Sequence, residues 1–246
     1  MRPVYTVGHS AQSEQEFLAR CRSVGINSIV DIRSHPISRW SHFNREEMEG
    51  EESWIRRAGI EYRWEPNLGG WSGDGLDETI VVSPRTNAPF PPTKGPGAYT
   101  GKHCSVRDWA QLHGVEIELY GGASFPRNHS AKQPVGDMVG KWQNQGQVDY
   151  CWYTALPTFR TAIRELVSYV RWGSSTGGVG LMCTEFVWWK CHRAQVADVL
   201  GWNGIPVTHI QPSHVNHTDM MGRRLRNYPD LVKSTWGPRQ KMRRGH

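Results

Sequence analysis

Apolar positions along this chain fall into short runs that end abruptly in polar side chains. Val4-Tyr-Thr-Val-Gly8 runs into His9 and Ser10; Ser28 to Ile32 carries Asp31 and runs into Arg33 and His35; Gly178-Val-Gly-Leu-Met-Cys183 runs into Thr184 and Glu185. Runs this short and nearly free of charge predict buried strands. Between them the period changes. Ser13 followed by Glu16 is a capping-box signature, and Phe17, Leu18, Cys21 and Val24 then form a stripe that stops at Gly25, which predicts a helix. Asn44 is placed to cap a second helix through Glu46, Met48, Trp54 and Ile55 to Gly59, ahead of a strand at Ile60–Trp64. A helix starting at Pro157 puts Phe159, Ile163, Leu166, Val167 and Val170 on one face, and a Gly/Ser turn at 173–178 follows. After the Cys183 strand come a helix ending at Gly201 and a last strand around Ile205–Ile210.

Strand and helix in alternation predict an α/β chain, a Rossmann-like three-layer fold with a mostly parallel sheet, because parallel neighbours need crossover connections. The stretch from about 72 to 148 is rich in Gly, Pro, Ser and Trp and reads as a long loop-rich insertion, with one short strand at Val115–Tyr120. The expected organisation is a single domain over 1–222 that contains this insertion, followed by a basic segment over 223–246. No Gly-x-Gly-x-x-Gly fingerprint follows the first strand and no phosphate-loop motif occurs, so neither dinucleotide binding nor nucleotide hydrolysis is indicated and no cofactor is expected.

Charge changes the picture at one end. The net charge is +6, and from Met221 onward Arg223, Arg224, Arg226, Lys233, Arg239, Lys241, Arg243 and Arg244 face a single acid, Asp230, with Tyr228 and Trp236 interleaved. Cations interleaved with rings suit phosphate contact and base stacking, so the expected partner is nucleic acid, with DNA ahead of RNA; a solvated tail is the plainer reading. No apolar stretch approaches the roughly 20 residues that a bilayer crossing needs. With Met1-Arg2-Pro3 leading straight into a strand, the expectation is a cytoplasmic protein with no membrane partner and its oligomeric state open. Five scattered cysteines do not form a secreted disulfide framework.

Ligands of open α/β sheets bind beyond the carboxyl ends of the strands, where this chain concentrates its reactive groups. Asp31, flanked by Arg33 and His35, is a candidate to position a water or stabilise a developing cation, and Glu185 is a second carboxylate on the same strand face as Cys183. His9 and His192 are candidate proton donors. Ser10, Arg33, Asn67, Trp188, Cys183, Arg193, His209, Ser213, Arg223 and Arg224 are candidates for holding substrate, Trp188 by stacking and Arg193 by gripping phosphate at a helix start. Cys183, Cys191 and His192 invite a zinc reading that His9 or His209 would complete. The eight-residue step between the cysteines does not match a Cys-x-x-Cys knuckle, so no metal is expected.

Thr6-Val-Gly8-His9-Ser10, Asp31-Ile-Arg33 with Pro36 and Ser38-Arg39, Leu68-Gly69-Gly70, Cys183-Thr-Glu185 and Cys191-His192-Arg193 resemble, in order, the DUF488 family of bacterial proteins without an assigned function. That resemblance implies an α/β fold with a polar cleft and supplies no reaction. From the residues, the expected activity is that of a DNA glycosylase: a flipped base enters the cleft and its N-glycosidic bond is hydrolysed with Asp31 as the carboxylate. Thr208-His209-Ile-Gln-Pro212-Ser213-His214 loosely resembles the His-Pro-Ser motif of uracil-DNA glycosylases. The alternatives are a cysteine- or metal-dependent hydrolase or transferase acting on a nucleotide or RNA base, and a non-catalytic nucleic-acid-binding module.

Overall fold

A computed structural model describes residues 1–69, 147, 150–151, 153–154, 157–173, 176–211, 213–228 and 230–236; the expected strand at Val115–Tyr120, nearly all of the insertion and the basic residues beyond Trp236 lie outside them. The abrupt apolar runs are neighbours in one sheet. Strands β1 (Val4–Gly8), β2 (Ile26–Asp31), β3 (Glu61–Trp64), β4 (Gly178–Cys183), β5 (Val207–His209) and β6 (Val215–Asn216) are ordered β3-β2-β4-β1-β5-β6. All neighbouring pairs are parallel except the antiparallel β5–β6 pair. The α/β fold with a mostly parallel sheet is therefore as expected, and the first five strands bring their carboxyl ends to one edge.

Side-chain alternation sorts the strands' residues between two cores. Val30, Ile32, Val179, Leu181 and Cys183 pack with Phe159, Ile163 and Leu166 of helix α4 (Pro157–Trp172) and with Val196, Val199 and Leu200 of helix α5 (Arg193–Trp202). On the other face, Val7, Ile29 and Met182 pack with Phe17 and Cys21 of helix α1 (Glu14–Ser23) and with Met48, Trp54 and Ile55. Helices thus cover both faces. The predicted capping box starts α1, with Ser13 accepting from the Glu16 N–H and Glu16 accepting from the Ser13 N–H, and Gly25 supplies a positive φ of 70° just past its end.

The single helix expected over 45–59 is two: α2 (Arg45–Glu49) and α3 (Trp54–Arg57). Gly50, a poor helix former, turns extended with ψ 151°, and Ser53 caps a fresh start by accepting from the Arg56 N–H. Asn44 stands at the N-cap position of α2, but its carboxamide oxygen accepts from the Ser38 N–H instead.

The segment set apart as a basic tail is part of the fold as far as Trp236. Met221, Leu225, Tyr228, Val232 and Trp236 are spaced for one helical face and join the main core, through helices α6 (Met221–Arg224) and α7 (Asp230–Thr235). Arg224, expected at phosphate, is buried and clamps both oxygens of Asp198 at 2.7–3.0 Å, while the Tyr228 hydroxyl donates to Asp198 at 2.8 Å. From the other side, His217 donates to Asp198, His209 donates to His217, and Thr6 donates to His209. Burial, with Arg224 near, pushes both imidazoles down, so this chain of bonds runs through neutral rings. Among the described residues no helix is long and apolar enough to cross a membrane.

Removing one partner of a buried ion pair leaves an uncompensated charge. Asp198→Ala is expected to cost about 3–5 kcal/mol in urea unfolding, whereas Arg223→Ala, at the exposed neighbour of Arg224, should stay within about 0.5 kcal/mol. Equal effects would return Arg224 to the surface.

Candidate functional site

Parallel pairing puts Gly8 beside Cys183 and Asp31 beside Met182, so the ends of β1, β2 and β4 are contiguous. The ladder continues past the strands, with the His9 N–H donating to the Cys183 carbonyl at 3.0 Å and the Ser10 N–H to the Thr184 carbonyl at 2.9 Å. A Cβ at Gly8 would run into the Glu185 carbonyl, so this close approach requires glycine. Ser10 adopts a φ of +46°, a left-handed conformation that costs a residue with a Cβ and marks the turn out of the sheet.

The polar groups form two clusters rather than one cleft. On the α1 face, Asp31 is fully buried and both of its oxygens are engaged: the Arg33 guanidinium binds them at 2.6–3.1 Å and the Tyr62 hydroxyl donates at 2.7 Å. Arg33 also donates to the Phe43 carbonyl and, at 3.3 Å, to His9 Nε2. His9 Nδ1 donates to the Ser10 carbonyl, and its ring stacks on Phe43 at 4.3 Å. Burial, and then the charge of Arg33, push the His9 pKa down to about 4, so the ring is a neutral acceptor for arginine. Asp31, Arg33 and His9, expected to meet substrate, are here a closed bonded unit.

The second cluster lies on the α4–α5 face. The chain leaves β4 at Cys183, passes exposed Thr184 and Glu185, makes a 3-10 turn at Trp188–Lys190 and returns at Cys191 before α5 begins. That path spans the eight-residue step and brings Cys183 Sγ, Cys191 Sγ and a ring nitrogen of His192 within 4.8 Å of one another. His192 Nε2 donates to the Ile32 carbonyl at 2.8 Å, leaving Nδ1 at 3.7 Å from Cys191 Sγ and 4.0 Å from Cys183 Sγ. The Tyr150 ring lies over His192 at 5.0 Å, and Arg193 Nε reaches Cys191 Sγ at 3.4 Å. Although burial raises the Cys191 pKa, the Cys183 hydrogen bond and the charges of His192 and Arg193 hold it well below the usual cysteine range; the Cys183 thiol is pushed up by its bond to Cys191 and by burial. Burial disfavours a charged His192 ring, yet the Cys191 sulfur beside it raises its pKa.

Other candidates separate. Arg193, expected to grip phosphate, is buried with its guanidinium donating to the Glu185 carbonyl, so it fixes the loop after β4. Trp188, expected to stack on a ligand, is buried face to face on His209 at 3.9 Å, and His209 lies in the Asp198 network described above. Glu185, Asn67, Ser213 and Arg223 are exposed and are not drawn into either cluster. Three features went unread in the sequence. Tyr62 completes the Asp31 unit, and Tyr150, at the end of the insertion, covers His192 while its hydroxyl donates to the Leu68 carbonyl. After β2, the loop leaves Ile37 77% and Trp40 42% exposed next to exposed His35 and Arg39, an apolar and basic surface beside the strand ends.

Residues 13–75 match a family model described as domain of unknown function DUF488. No curated protein and no solved structure matches the chain. The resemblance is thereby shown over α1 to β3, a stretch that holds Asp31 and Arg33; His9, Cys183, Cys191 and His192 lie outside it.

A ring held neutral in the fold but free to charge when unfolded makes stability fall with acid. Because the folded His9 pKa lies near 4, below the ordinary 6.5, the unfolded chain takes up the proton first, and stability should drop by about 3 kcal/mol as the pH falls through that window. The His9 ring resonance should stay flat in NMR titration where an ordinary histidine shifts; a midpoint near 6.5 would contradict the burial of the ring beside Arg33.

Proposed function

We propose that this protein is a hydrolase acting on a nucleic-acid base, with Cys183, Cys191 and His192 as its reacting centre. One observation carries the reading: two sulfurs and an imidazole nitrogen converge within 4.8 Å at the carboxyl edge of a parallel sheet. Thiolate and imidazole in contact act hydrolytically in two ways, as nucleophile and base or as ligands of a metal that activates water. In both, substrate approaches from the side of His192, the partly exposed member of the trio.

The nucleic-acid part rests on charge and on exposed rings. The net charge of +6 favours a polyanion, and Trp40 with Arg39 offers a base-stacking ring beside a phosphate-binding cation near the end of β2. Glycosylase chemistry through Asp31 is the weaker reading. A carboxylate that stabilises an oxocarbenium ion must approach the sugar, whereas Asp31 has no exposure and its oxygens are bonded to Arg33 and Tyr62. A pure binding module would not need two buried thiols against a histidine.

The test is incubation with DNA and RNA bearing natural base modifications, followed by complete digestion and nucleoside mass spectrometry. An altered base is expected, with turnover reduced at least about a thousandfold in Cys191→Ser and unchanged in Arg22→Ala, at the exposed last turn of α1. A free base released equally well by a Cys183→Ser, Cys191→Ser double variant would sink this reading in favour of a glycosylase.

A further inference from the structure

We infer that Cys183, Cys191 and His192 bind one zinc ion, an inference that deepens the hydrolase reading of the same cluster. With Zn–S near 2.3 Å and Zn–N near 2.0 Å, tetrahedral geometry separates ligand atoms by about 3.5–3.8 Å. The sulfur-to-Nδ1 distances of 3.7 and 4.0 Å need only a few tenths of an ångström of contraction to meet that geometry. Two thiolates and an imidazole are a soft donor set that suits zinc over calcium or magnesium.

The surroundings favour a metal over hydrogen bonding alone. The Nδ1 lone pair can accept one hydrogen, yet two sulfurs crowd it; a metal engages all three donors. His192 already gives its Nε2 hydrogen to the Ile32 carbonyl, the kind of outer contact that orients a ligand histidine and here aims Nδ1 at the sulfurs. Arg193 Nε donates to Cys191 Sγ, which offsets part of the negative charge that two thiolates bring. Binding forms two Zn–S bonds and one Zn–N bond, and the protons carried by the two sulfurs and by Nδ1 leave to solvent.

Three donors among the described residues is the number catalytic zinc sites use. The fourth tetrahedral position then holds a water whose pKa is lowered towards neutrality, the nucleophile a hydrolase needs. The same sequence step that fails as a knuckle works here because the strand end and the 3-10 turn, rather than a tight loop, hold the two sulfurs.

The test is metal content, which reads separately from turnover. Protein purified without chelator should carry about one zinc per chain by plasma mass spectrometry, falling to under about a tenth of that in Cys183→Ser, Cys191→Ser and His192→Ala and unchanged in His35→Ala. Because buried-thiol variants can misfold, the unaltered chain is also stripped and reloaded with Co2+; a thiolate-to-cobalt charge-transfer band with tetrahedral d–d intensity is the expected spectrum. A metal-free protein that takes up Co2+ without that band, or zinc retained in the double cysteine variant, overturns the inference. A metal-free protein that still turns over substrate through Cys191 would leave the hydrolase reading standing on thiolate chemistry.

Discussion

Alternation of side chains along parallel strands is the constraint on which the rest of this molecule depends. Asp31 and Cys183 end neighbouring strands, and proximity in the sheet suggests one cleft. Yet Asp31 shares its face with Ile29 and Tyr62, and Cys183 shares the opposite face with Leu181 and the helix α5 core. Two polar clusters on one edge are therefore separated by the sheet itself, and each must satisfy its charges alone.

Each does so by a different route. The Asp31 cluster closes electrostatically: carboxylate, guanidinium, phenol and a neutral imidazole meet with every strong donor and acceptor in contact, which suits a buried unit that holds the ends of β1, β2 and β3 together. The Asp198 network, with Arg224, Tyr228 and the His217–His209–Thr6 chain, does the same for the middle of β1, the end of β5 and the C-terminal helices. The sulfur cluster does not close in that sense. Its contacts are long ones, with the His192 Nδ1 at 3.7 and 4.0 Å from the two sulfurs and Arg193 Nε at 3.4 Å from Cys191 Sγ.

Period and caps made the fold legible. Every strand run ahead of a polar end proved to be a parallel strand, and the Ser13–Glu16 box and Gly25 bounded the first helix. The break at Gly50 was written in the same alphabet, because Ser53 was available as a second cap. Counting charge misled at the C-terminus, where Met221, Leu225, Tyr228, Val232 and Trp236 spell a helical face that the arginines obscure. The site was harder to read because its residue types were visible while their partners were not. Arg33, Arg193 and Arg224 look alike in a sequence as phosphate ligands, and what distinguishes them is whether a carboxylate, a carbonyl or a sulfur lies opposite. Likewise, a ligand spacing taken from knuckles cannot foresee a strand end and a 3-10 turn returning Cys191 to Cys183.

The two clusters are separated by the sheet yet joined through one residue. Ile32 sits between Asp31 and Arg33, whose side chains build the closed unit on one face, and its own carbonyl orients His192 on the other. Its side chain packs in the α4–α5 core and its N–H bonds the Met182 carbonyl. The position of the imidazole at the sulfurs thus depends on how firmly Asp31 and Arg33 hold the end of β2. The DUF488 match covers that end of β2 and stops well before Cys183 and Cys191, so the matched segment contributes to the sulfur cluster the backbone that aims its histidine.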